Sequence, residues 1–103
     1  MSDLYIQMQT FLFIVTKPGK LCSGTYVPLT SKGACHAAAK GLGKIFRGTV
    51  PKFGSYNDFA FAQEGCILCD TFTCKHTGVW WNPTGMDKQG DVEYKEASAI
   101  CSI

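Results

Sequence analysis

The chain has 103 residues and a mass of 11.2 kDa, the length of one domain with no room for two. Apolar residues make up 46% and charged residues 17%, which excludes a disordered tail or low-complexity segment, and no run reaches the ~18 consecutive apolar residues of a membrane-spanning helix. Net charge is only +2, yet residues 1–57 hold seven Lys/Arg against Asp3 alone, while residues 58–103 hold three Lys and seven acids. Such asymmetry steers an anionic partner or draws the two halves of the fold together.

Tyr5–Val15 reads as a strand whose second half, through Phe11, Phe13 and Val15, is apolar on both sides, as a central strand would be. Lys17-Pro18-Gly19-Lys20 is a turn by composition, and Leu21–Leu29 is expected to return as a strand. Ser31 suits an N-cap and Lys32–Phe46 is the predicted helix. Its Cys35, Ala38, Ala39, Leu42, Ile45 and Phe46 recur at helical spacing toward a sheet. Gly33, Gly41 and Gly43 weaken it by about 1 kcal/mol each relative to Ala, so it must lean on tertiary packing or a bond from Cys35. Gly48–Tyr56 is turn-rich. Strands are expected at Phe59–Leu68, Phe72–Trp81 and Val92–Cys101, with a loop at Gly85–Gly90. The order β-β-α-β-β-β predicts an α+β fold: one antiparallel sheet covered on one side by a single main helix and stabilised by disulfides.

Six cysteines, Cys22, Cys35, Cys66, Cys69, Cys74 and Cys101, form an even set in a short chain, which fits a disulfide framework in an oxidising compartment. Fifteen pairings are possible on paper. The expectation is that Cys66, Cys69 and Cys74 reach out to Cys22, Cys35 and Cys101, since long loops gain most from closure. Two other chemistries fit the cluster less well. A redox pair at Cys66/Cys69 needs a helix N-terminus to lower the thiol pKa, and the residues that follow are strand-like and acidic. A zinc site from Cys66, Cys69, Cys74 and His76 would place its last two ligands only two residues apart. No metal and no cofactor are expected. Met1-Ser2-Asp3 lacks a basic leader, so a secreted chain would be the mature form with an added Met.

Three further constellations carry possible chemistry. Lys32, His36, Lys40, Lys44 and Arg47 step by three or four residues as one basic stripe. A solvated face usually mixes signs, so the stripe is either a plain solvated face or a surface for phosphate, an acidic receptor or anionic lipid. It lacks the interleaved aromatics of a sequence-selective nucleic-acid reader. Trp80-Trp81 sits on a predicted strand, where neighbours point to opposite faces, so one is expected in the core and the other at a surface. The exposed one would stack on a sugar or bury in a partner, or simply rest half-covered at the sheet edge. His36, Glu64 and His76 are the candidates for acid–base work, with Arg47 or Lys40 for charge stabilisation. Their bland alternative is surface histidines, and no hydrolase, zinc-peptidase or phosphate-loop motif accompanies them.

Small size, scattered cysteines and a helix on a sheet without catalytic motifs resemble the small secreted effector and toxin proteins of fungi. Within that group, Gly65-Cys66-Ile67-Leu68-Cys69 and the run from Gly90-Asp91-Val92-Glu93-Tyr94 to Cys101 are similar to the killer-toxin family whose prototype is encoded by a fungal virus. The likeness covers about a third of the chain. It departs in having six cysteines where the prototype has more, and a long segment between helix and Cys66. It implies an α/β sandwich and, for toxins, action on a cation channel through basic residues; no functional residue is carried over. The resulting expectation is a secreted, monomeric, non-enzymatic effector or toxin-like protein that binds a host or competitor protein or an anionic surface. Lys32, His36, Lys40, Lys44, Arg47, Trp80 and Trp81 are its candidate contacts. The alternatives are a secreted ribonuclease-like enzyme or a cell-wall carbohydrate-binding module.

Overall fold

The computed structural model describes residues 12–51, 62–83 and 96–103. In chain order they form β1 (Phe13–Val15), β2 (Val27–Pro28), α1 (Lys32–Leu42), β3 (Phe46–Thr49), β4 (Gly65–Cys69), β5 (Gly78–Asn82) and β6 (Ala97–Ser102). Most of the expected first strand, the start of the Phe59 strand, the Gly85–Gly90 loop and the start of the Val92 strand lie outside the described residues.

The helix starts where the sequence places it. Ser31 is extended (φ −140°, ψ 149°), and its Oγ accepts the Ala34 N–H at 3.1 Å. It ends four residues early, at Leu42. Gly43 takes the left-handed conformation (φ 69°) and its N–H reaches the Lys40 carbonyl, while Lys44 N–H reaches the Ala39 carbonyl at 2.9 Å. This paired closure satisfies carbonyls that would otherwise be stranded at the C-terminus, and glycine adopts it without a Cβ penalty. Ile45 and Phe46 therefore leave the helix, and the chain turns directly into β3.

The six strands form one mixed sheet in the order β1-β6-β4-β5-β3, with β2 also paired to β6. All pairs are antiparallel except β3 with β5, which is parallel and irregular between Phe46 and Gly48. Gly48 takes up that irregularity at φ 96°. This parallel edge corrects the expected all-antiparallel sheet: β3 and β5 are joined not by a hairpin but by the long segment that carries β4 between them, the kind of crossover that parallel neighbours require. A second correction concerns β1, which lies at an edge rather than the centre. Its apolar character on both sides has another source: Phe13 and Val15 pack toward one core cluster and Ile14 toward another.

The centre belongs to β4, whose five residues are all buried. Cys66 and Leu68 point to the helix side, where they meet Leu29, Cys35, Ala38, Ala39, Val79 and Ile100. Ile67 and Cys69 point to the other side, among Val50, Ala62, Trp80 and Ala97. The sheet is thus buried on both faces, not one. Alternation across the registers Cys66↔Trp81, Ile67↔Trp80 and Ile67↔Ala99 keeps each face consistent. Ala97 of β6 shares this second cluster with Trp80.

Three disulfides link Cys22–Cys101, Cys35–Cys66 and Cys69–Cys74. Only Cys66 of the central cluster reaches outward as expected; Cys69 and Cys74 pair locally across a separation of 5 residues. That short loop also explains why the strand expected from Phe72 begins only at Gly78: the chain must first turn back to close the bond. Likewise the strand expected at Leu21–Leu29 shrinks to Val27–Pro28, because residues 23–26 turn, with Gly24 at φ 65° and Tyr26 N–H on the Ser23 carbonyl. Three disulfides in so short a chain fit an oxidising compartment. Among the described residues, no helix is long and apolar enough to cross a membrane.

Candidate functional site

The basic stripe is broken by the end of the helix. Lys32, His36 and Lys40 remain on α1 with their side chains exposed, whereas Lys44 follows the cap and Arg47 lies on β3. The His36 imidazole stacks on the Phe46 ring, centroids 4.6 Å apart and planes 14° apart, which ties the middle of the helix to the start of β3. Lys44 Nζ lies 2.9 Å from Asp70 Oδ2. The Arg47 Nε–H donates to the Thr77 carbonyl at 2.8 Å, and among the described residues its guanidinium meets no carboxylate. Gly78 makes this possible. Its φ is +131°, and a Cβ there would stand 2.8 Å from Arg47 Cγ, so the arginine crosses β5 only because no side chain intervenes. Lys44, Asp70, Arg47 and Gly78 then line one shallow depression of about 240 Å3. Asp70 was not among the candidates from sequence. Its only signal was position, directly after Cys69 in an otherwise uncharged segment.

The tryptophans divide as alternation requires. Trp80 is buried, 6% exposed, and its indole N–H donates to the His76 carbonyl at 2.9 Å, so it belongs to the core and not to a contact surface. Trp81 is half-buried on the helix side. It lines a cleft of about 300 Å3 with Leu29, Thr30, Glu64, Gly65 and Pro83. A flat indole beside a hydroxyl and a carboxylate is a chemistry suited to a sugar ring.

The three acid–base candidates are not brought together. Glu64 immediately precedes β4, by the Gly65↔Asn82 pair, while His76 lies beyond the other end, past Cys69↔Gly78. His36 stacks on Phe46 on the helix face, and His76 meets the edge of Trp80 on the opposite face, centroids 6.5 Å apart. Cys66, Cys69 and Cys74, the thiolates of the zinc and redox readings, are all consumed in disulfides.

Buried polar groups do structural work nearby. Gln63 Oε1 accepts the Cys22 N–H at 2.7 Å, and its carbonyl accepts Asn82 Nδ2 at 3.1 Å, linking the loop after β1 to the end of β5. No protein-family model, no curated protein and no solved structure matches the chain.

Proposed function

We propose that this protein is a secreted, disulfide-stabilised effector or toxin-like protein of fungal type that acts as a monomer and binds a host or competitor macromolecule without catalysing a reaction. The observation that carries the reading is the exposed run of Lys32, His36, Lys40, Lys44 and Arg47, from the outer side of α1 to the β3 edge, in which Asp70 is the only carboxylate paired among the described residues. An unmatched cationic face accelerates encounter with an anionic partner and selects against cationic ones. The likeness to the killer-toxin family supports the toxin-like class without giving any residue a role. Separation of His36, Glu64 and His76 speaks for binding over catalysis.

The test is charge reversal at Lys32 and Lys40, both exposed on α1. Purified protein and the Lys32→Glu/Lys40→Glu variant are applied to plant tissue and to competing fungal cells. The variant should keep its melting temperature, since surface exchanges usually stay within about 0.5 kcal/mol, and should lose the response. An unchanged response from the folded variant refutes the basic face. The Trp81 cleft favours the second reading, a carbohydrate-binding module, which retention on chitin or another wall polymer and its loss in Trp81→Ala would support.

A further inference from the structure

The topology gathers several loops at one end of the sheet. Cys69 pairs with both Gly78 and Ala97, and Phe46 pairs with Val79. Hence the 43–45 connection, the 70–77 loop and Glu96 all meet at that end. The turn after β1 arrives there too, because Gly19 N–H donates to the Ala97 carbonyl at 2.8 Å.

Two large apolar side chains stand out from this end into solvent, Phe72 at 103% exposure and Ile45 at 67%. Phe72 is not on a loose loop. The Cys69–Cys74 bond closes the base of its turn, and the hydroxyls of both its neighbours, Thr71 and Thr73, donate to the same Glu96 carboxylate oxygen. A phenyl group held outward by a covalent clamp and two flanking hydrogen bonds loses little conformational entropy when it enters an apolar medium. The charges around it are sorted. Asp70 is turned onto Lys44 and Glu96 onto the threonines, so the carboxylates described at this end are engaged within the protein. The cations Lys17, Arg47 and Lys75 meet no carboxylate among the described residues.

We propose that this end is a peripheral membrane-docking tip: Phe72 and Ile45 enter the acyl–headgroup boundary of an anionic bilayer while Lys17, Arg47 and Lys75 meet its phosphate and carboxylate groups. Separate apolar projections with cations unpaired among the described residues at the same end of the sheet match a soft interface with an apolar interior and an anionic rim better than they match a flat protein patch. The tip shares Arg47 with the basic run described above but includes no residue of α1, and its test turns on Phe72 and Lys75.

Vesicle sedimentation tests it, using phosphatidylcholine alone and phosphatidylcholine with roughly 30% phosphatidylserine, at low and high salt. The protein should sediment with the anionic vesicles at low salt and not with the neutral ones. Phe72→Ser should reduce partitioning by about tenfold or more, and Lys75→Glu by several-fold, both with unchanged circular dichroism and melting. Failure of the wild-type protein to sediment with either vesicle overturns the proposal and turns attention to an acidic protein pocket as the occupant of the tip. Binding that Lys75→Glu weakens but Phe72→Ser leaves intact also overturns it, since attraction alone would then account for the contact.

Discussion

Removing the three disulfides one at a time should rank their contributions by the length of chain each closes. Each cross-link removes loop-closure entropy from the unfolded chain, and the removed entropy grows with the logarithm of loop length. Cys35–Cys66 spans 31 residues, which corresponds to ~3.7 kcal/mol. Cys22–Cys101 spans 79, but with the two inner bonds intact its effective path shortens to about 45 residues, worth ~4 kcal/mol. Cys69–Cys74 spans 5 and is worth ~2 kcal/mol. Packing sharpens the ranking, because Cys35, Cys66 and Cys101 are wholly buried, whereas Cys74 is only half-buried. Urea unfolding of the three paired Cys→Ala variants, followed through the fluorescence of the buried Trp80, measures the differences. Losing either long bond should consume a large part of the ~5–15 kcal/mol that holds such a domain together, and losing the short one about half as much. The short bond should matter elsewhere: Cys69→Ala/Cys74→Ala releases the turn that presents Phe72, so vesicle partitioning should fall even though the fold survives. If that variant loses as much stability as Cys35→Ala/Cys66→Ala, loop closure is not what ranks these bonds.

Two glycines should respond in opposite directions to alanine. At Gly33, inside α1, an added Cβ meets nothing within 4 Å, so Gly33→Ala should raise the melting temperature with a gain of about 0.5–1 kcal/mol. At Gly78, the left-handed backbone and the Arg47 side chain both resist a Cβ, so Gly78→Ala should cost roughly 1–3 kcal/mol; equal shifts in the same direction would refute the packing described around Arg47. Gln63→Ala strands the buried Cys22 N–H and should cost about 1–3 kcal/mol. Hydrogen exchange at the Cys22 amide should accelerate in that variant, and unchanged protection would show that another acceptor serves it.

Local features of this protein were legible without any structure because their causes lie within a few residues. Ser31 starts the helix through a side-chain bond to an amide three residues on, and Cys35, Ala38 and Ala39 face the core because 3.6-residue periodicity puts them there. Adjacent tryptophans on a strand had to part to opposite faces. Gly43 was equally local, a left-handed stop rather than a weak point, and its meaning was missed because a glycine inside a helix and one just past its end look alike in composition. Everything that depends on which strands become neighbours had no such signature. Nothing in Phe46–Thr49 announces that it will run parallel to Gly78–Asn82, and six cysteines do not state their partners until β4 and β6 lie side by side. Trp80 rather than Trp81 became the core residue because Ile67 and the small residues of β6 happened to face it across the sheet. The threonine–Glu96 bonds that flank Phe72 and the arginine lying over Gly78 likewise arise from contacts between residues 23 or more positions apart. Short-range hydrogen bonding and periodicity are written in the chain; the choice of long-range partners is made by the free energy of the assembled sheet, and only the tertiary structure records it.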